Sequence, residues 1–232
     1  MKTIRRKPSV RSAKKDLTEV VYEGLCQEIT SGKLRPGELL SRRQIAQRYG
    51  VSYTPVIEAM VRLQSTGLVE AESKQMARVP QVSLDSIRNH YVLREALETQ
   101  AIRLACERAT PDDIADLYRR AEEVDRRRHQ RDTAQRQADS AGLLVHWQFH
   151  RRIAELSGCP TLVAELERAH LLRRLQATWF HVSPTPAPRR YHSLLIDLVA
   201  KRDVAAADAA MRHHVRNGLE TILQAYGLTM NP

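Results

Sequence analysis

Residues 41–69, SRRQIAQRYGVSYTPVIEAMVRLQSTGLV, hold two short amphipathic segments separated by a Gly-Val-Ser corner. Ser41 suits an N-cap, and Ile45, Ala46 and Tyr49 share one face of the helix it opens. Gly50 stops that helix, Val51 plugs the corner and Ser52 can cap the next helix. Pro55 falls in its first turn, where a missing N–H costs nothing. The second helix is expected from about Tyr53 to Ser65, with Val56, Ala59, Met60 and Leu63 turned inward. Tyr53, Thr54, Ile57 and Arg62 then lie on or near the opposite side. Two helices so arranged form a helix-turn-helix, whose second member presents the N-terminal part of its outer face to base edges.

The flanks supply the rest of such a unit. Residues 17–31, LTEVVYEGLCQEITS, carry apolar side chains at 17, 20, 21, 25 and 29, a third helical stripe closed by the turn GKLRPG at 32–37. Gly67 ends the second helix of the pair. Leu68-Val69-Glu70-Ala71 and Ala77-Arg78-Val79-Pro80 then read as a hairpin around Ser73-Lys74-Gln75-Met76, which is a wing. The residues expected to meet DNA are Arg42, Arg43, Gln44, Ser52, Tyr53, Thr54, Ile57, Arg62, Lys74 and Gln75.

Charge agrees with a polyanionic partner. The chain has a formal net charge of +10, and residues 1–80 hold 15 Lys or Arg against 8 Asp or Glu. Residues 1–15, MKTIRRKPSVRSAKK, contain seven cations and no acid, a basic arm expected to be disordered. On DNA it would gain phosphate contacts and release counterions. The competing readings are a merely solvated arm, or an organelle transit peptide, which ranks last because the stretch is short and lacks amphipathic periodicity.

The 232 residues suit two modest domains, with 42% apolar, 5% aromatic and 28% charged residues, a balance typical of helix-rich soluble proteins. No stretch approaches the roughly 18 apolar residues of a membrane span, and no signal-peptide core is seen, so a cytoplasmic protein is expected. Cys26, Cys106 and Cys159 are odd in number and unclustered, which favours reduced thiols over a disulfide or a thiolate metal site.

Beyond Pro80 only helical periodicity is evident, and six helices are expected at roughly 84–108, 111–131, 140–157, 160–178, 187–201 and 203–226. Thr110-Pro111-Asp112-Asp113, Ser157-Gly158-Cys159-Pro160 and the proline-rich 183–188 punctuate them. The fold class is therefore mostly α: a basic arm at 1–15, a winged helix-turn-helix at 16–80 and an all-α six-helix bundle at 81–232. The polar stretch 125–140, DRRRHQRDTAQRQADS, shows no apolar stripe and reads as a solvated helix end with a loop.

Histidines carry the chemistry of this second unit. His146 and His150 are four apart in LLVHWQFHRRIAEL, so one helix face projects both imidazoles at the same point. His192 is expected to open the fifth helix, and His214 lies in the sixth. Spacing alone leaves chance placement open as an alternative. Trp147, Phe149, Trp179 and Phe180 read as core or cavity wall. His90, His129, His170 and His181 have no partner at helical spacing.

ITSGKLRPGELL, IAQRYGVSYTPVIEAM and LQSTGLVE resemble the winged helix-turn-helix of the GntR superfamily of bacterial transcription regulators, over about residues 16–80. The resemblance implies operator binding. Two departures stand out: Tyr53 and Ile57 occupy positions where the family usually has Arg, and Gln75 or Met76 stands near the customary wing glycine. The usual base code is therefore not carried over.

FHRRIAELSGCPTL, HSLLIDLVAKRD and AAMRHHV resemble the FCD effector domain of the FadR branch, in its VanR-like six-helix variant. The resemblance implies metal ligation by His150, His192 and His214, with His146 standing where the family usually has Asp and His213 as an adjacent alternative to His214. Four neutral imidazoles favour zinc, with nickel or copper possible, and leave a dication without a compensating protein anion in the pocket. Arg94 matches a position facing the effector cavity, with Tyr91 one turn earlier; the alternative is a surface Arg94–Glu98 ion pair.

The expected function is a ligand-responsive, sequence-specific transcription regulator: a homodimeric repressor released from operator DNA by a small carboxylate at the metal site. The alternatives are a direct metal sensor, a non-specific nucleoid-type binder and a metal-dependent hydrolase. The hydrolase lacks an evident Glu or Asp base beside His146 or His150.

Overall fold

The computed structural model describes residues 16–130, 140–179 and 188–225. The expected basic arm, the proline-rich segment except Pro188, and Phe180 and His181 lie outside these residues. Asp16 caps α1 (Leu17–Thr30) by accepting from the Thr18 N–H at 3.0 Å, and Val21, Leu25 and Ile29 form its buried stripe. Ser41 opens α2 (Arg42–Tyr49), accepting from the Gln44 N–H at 3.4 Å, and Gly50 closes it in the left-handed region at φ 63°. There a side chain would be strained. α3 (Tyr53–Ser65) turns Val56, Ala59, Met60 and Leu63 into the same core.

The wing is a three-stranded antiparallel sheet rather than a lone hairpin. β1 (Leu39–Ser41) pairs with β3 (Met76–Arg78), which pairs in turn with β2 (Glu70–Ala71). Leu39-Leu40 is too short to show an alternating pattern, so only the partner strand reveals it.

The six C-terminal helices are α4 (Leu84–Arg108), α5 (Pro111–Gln130), α6 (Ser140–Leu156), α7 (Pro160–Trp179), α8 (Ser193–Ala200) and α9 (Val204–Ala225). Five lie close to their expected spans. α8 begins six residues later than the expected 187, and His192 is its N-cap rather than its first helical residue. The cause is Asp125, which accepts from the backbone N–H groups of His192 at 3.0 Å and Ser193 at 3.1 Å and thereby sets where the helix starts. α4 lies along α9, and α5 and α6 close the bundle around Ile87, Ile102, Phe149, Ile153, Ile196 and Met211.

The two cores are joined by α7. Leu175, only 2% exposed, belongs to the N-terminal core with Leu25 and Met60, and Leu171 packs beside it. A Cβ on Gly67, at the end of α3, would lie 3.4 Å from the Leu172 side chain. The three cysteines are free thiols, Cys106 buried and the other two half-buried. Among the described residues no helix is long and apolar enough to cross a membrane.

Candidate metal centre and nucleic-acid interface

His146 and His150 on α6, His192 at the cap of α8 and His214 on α9 converge, with potential ligand atoms all within 4.8 Å of one another. His150 Nε2 lies 3.2 Å from His146 Nε2 and 3.1 Å from His214 Nε2. A tetrahedral ion bonded to imidazoles at about 2.0–2.1 Å spaces its ligand atoms about 3.3 Å apart, so the cluster has the dimensions of a metal site. Among the described residues His192 Nε2, which is buried, has no hydrogen-bond partner, an orphan that a metal would satisfy. His213 is exposed and outside the cluster.

Outer partners fix two of these rings. His192 Nδ1 donates to Asp125 Oδ1 at 2.7 Å, which leaves the Nε2 lone pair facing the cluster. Asp125 Oδ2 accepts from the Ser193 hydroxyl at 2.9 Å. Glu98 Oε2 lies 2.7 Å from His150 Nδ1, while Oε1 accepts from Arg94 Nε at 2.8 Å. Burial alone would raise the Glu98 pKa, but Arg94 and His150 outweigh it and hold the carboxyl well below its usual range. Burial lowers the pKa values of His146, His192 and His214, and neighbouring imidazoles add to that; Asp125 opposes it at His192.

This arrangement corrects two expectations. The site does have counter-charge, in the outer carboxylates Glu98 and Asp125 rather than among the ligands. The Arg94–Glu98 ion pair forms, but it is buried, at 6% and 2% exposure, rather than on the surface. Asp125 was not identified, because the arginine-rich run after it hides the stripe Leu117, Ala121 and Val124 that places it on the inner face of α5.

His146 has a different outer partner. Its Nδ1 lies 3.4 Å from Nη1 of Arg173 on α7, and a guanidinium can only donate. Beside the cluster is a pocket lined by Arg94, Glu98, Trp147, His150, His170 and Arg173, together with Leu166. Trp147 and His170 form one wall, stacked at 4.1 Å between ring centroids. Tyr91 is not part of the lining; it is buried beneath Arg94, whose guanidinium lies 4.8 Å from the ring centre. His170, for which helical spacing offers no partner, and Arg173 both meet residues of α6, beyond the reach of spacing along one helix.

On the N-terminal unit, Arg43, Gln44, Ser52, Tyr53, Thr54, Ile57, Lys74 and Gln75 are exposed, and Tyr53 and Ile57 remain 41% and 38% accessible despite their apolar rings and chains. Arg42 is half-buried, its guanidinium donating to the Lys74 carbonyl and its N–H to the Gln75 carbonyl at 3.1 Å, so it ties α2 to the wing. Arg62 is also exposed. It pairs with Glu19 of α1 at 2.6 Å and lies 3.9 Å from the Tyr22 ring centre, on the α1 side of α3. Val61, also on α3, is 55% exposed.

A family model for the FCD domain matches residues 89–217, and one for bacterial regulatory proteins of the gntR family matches residues 17–79. The chain is 30% identical over 191 residues to the HTH-type transcriptional regulator McbR of Escherichia coli (strain K12), covering 80% of this chain and 83% of McbR. It is 25% identical over 210 residues to the HTH-type transcriptional repressor RspR of the same organism, covering 90% of each. Among solved structures, E. coli McbR/YncC matches with a TM-score of 0.71 and 25% identity, over 90% of this chain and 98% of that one. The chain belongs to the GntR family of bacterial transcription regulators and carries an FCD domain. It is a DNA-binding regulator, not an enzyme.

Proposed function

We propose that the protein is a cytoplasmic homodimeric repressor in which residues 16–80 read an operator. In this reading residues 81–232 pair the subunits and bind a small carboxylate beside a divalent metal, zinc before nickel or copper. The observation that carries it is the convergence of four imidazoles, two of them braced by buried carboxylates, beside a pocket whose wall includes a helix rooted in the DNA-binding core.

When bound, the metal would act as a Lewis acid for a carboxylate oxygen, held by His150, His192 and His214 with His146 as the fourth ligand. Arg94, fixed by Glu98 and Tyr91, borders the space that the carboxylate would enter. α7 would transmit occupancy: His170 and Arg173 face the pocket, while Leu171, Leu172 and Leu175 face α1 and the end of α3. An effector can release DNA only by as much as it prefers the non-binding arrangement, so a rigid helix gripping both cores is a physical means of expressing that preference. A dimer follows from major-groove reading, because two recognition helices about 34 Å apart double the contacts with a palindromic site.

The test combines metal analysis of protein purified without a histidine tag with anisotropy titration of an operator selected from random duplexes. The proposal expects one zinc per subunit, lost in His192→Ala, and operator affinity that falls when carboxylate is added to the zinc-loaded protein. Affinity that follows zinc alone, with no carboxylate effect, would replace this reading with a direct metal sensor. No preferred duplex would remove the operator.

A further inference from the structure

We infer that Arg173 makes this pocket select an effector with two acid groups, one at the histidine cluster and the other on the Arg173 guanidinium. The inference rests on the metal-and-carboxylate reading above and names the ligand class.

Arg173 is half-buried in the pocket wall, and among the described residues no carboxylate pairs with it. Its polar contacts are the Tyr91 hydroxyl and the long 3.4 Å approach to His146 Nδ1. Arg94, by contrast, is neutralised by Glu98 at 2.7 Å. The Arg173 guanidinium borders the pocket beside that of Arg94, so this wall sets two cations against the single carboxylate of Glu98.

A charge count gives the same answer. Glu98 cancels Arg94, and Asp125 offsets one charge of a divalent ion held by neutral imidazoles. The other charge of the ion and that of Arg173 remain. A monocarboxylate would leave one positive charge enclosed, whereas a dicarboxylate leaves none.

The walls narrow the class further. The Trp147–His170 stack and Leu166 offer an apolar wall against which methylene carbons can lie. Because a guanidinium cannot accept, ligation by His146 through Nε2 requires the proton on Nδ1, which turns Arg173 away from that ring and frees its donors for a second carboxylate.

The experiment is calorimetric titration of zinc-loaded, untagged full-length protein with malonate and succinate, and with the chain-matched propionate and butyrate. Wild type is expected to prefer the dicarboxylates by about tenfold or more. Arg173→Gln is expected to abolish the preference by lowering dicarboxylate affinity about tenfold, with zinc content and thermal unfolding measured alongside to verify a folded, loaded protein. Arg173→Lys, which keeps the charge but not the fork, is expected to restore part of it. Equal affinity for both classes in wild type, or a preference that survives Arg173→Gln, overturns the inference without touching the metal and carboxylate reading. If zinc-loaded wild type binds none of the four, that reading fails and this one with it.

Discussion

Asp125 Oδ1 lies 2.7 Å from His192 Nδ1 and 3.0 Å from the same residue's backbone N–H, so one carboxylate both aims an imidazole at the cluster and caps α8. Asp125→Ala should therefore act on two quantities at once. Stability in urea is expected to fall by about 1–3 kcal/mol, as when buried donors lose their acceptor. Zinc affinity is expected to drop roughly 10–100-fold, as when an outer partner of a ligand is lost. A variant with wild-type zinc affinity would show that Asp125 serves only the fold.

The four histidines should not contribute equally. His192 is braced by Asp125 and His150 by Glu98, whereas His146 meets a cation at Arg173. Competition against a chromogenic chelator should find His192→Ala the more damaging and His146→Ala the milder. His146→Asp should bind zinc more tightly than wild type, since it adds an anionic ligand. Equal losses for His146→Ala and His192→Ala would contradict the distinction.

This difference also shows how much the sequence disclosed. His146 and His150 share a helix face by spacing, and Gly50, Ser41 and Pro55 punctuate the helix-turn-helix through local backbone chemistry, so both were legible. Nothing local links Asp125 to His192 or Arg173 to His146, because those pairs are made by packing α5 and α7 against other helices. The Arg62 contacts were hidden for the same reason: its helical position fits either outer side of α3, and only Glu19 and Tyr22 on α1 show where its guanidinium lies.

Acid should weaken the metal-free protein through histidines away from the cluster's ligands. Burial, then the like charges of Arg94 and Arg173, hold His90 down to about 3, and both its ring nitrogens are buried without hydrogen-bond partners among the described residues. Above an unfolded pKa of about 6.5 the residue is neutral in both states and contributes no pH dependence. Below it the unfolded chain takes up a proton that the folded chain refuses, so stability falls by up to about 1.4 kcal/mol per pH unit until pH nears 3. His90→Leu should exceed wild type in urea midpoint by a margin that widens from pH 6.5 to 4.5. Parallel curves would remove this account of His90.

On the DNA side, Tyr53→Ala and Ile57→Ala should each weaken operator binding by about 1–3 kcal/mol in anisotropy titrations, because both side chains are exposed on the front of α3. Arg62→Ala should change operator affinity little and instead loosen the α1–α3 contact, since its guanidinium is held by Glu19. A large operator loss in Arg62→Ala with no change in stability would return that arginine to the interface.

The central claim is that occupancy of the histidine pocket and grip on DNA are coupled through one molecule. Binding of succinate to the zinc-loaded protein, measured with and without saturating operator, tests it most directly. The account predicts that operator weakens succinate binding by about fivefold or more, and that succinate weakens operator binding by the same factor, as linkage requires. Succinate affinity that is identical on and off the operator would contradict it.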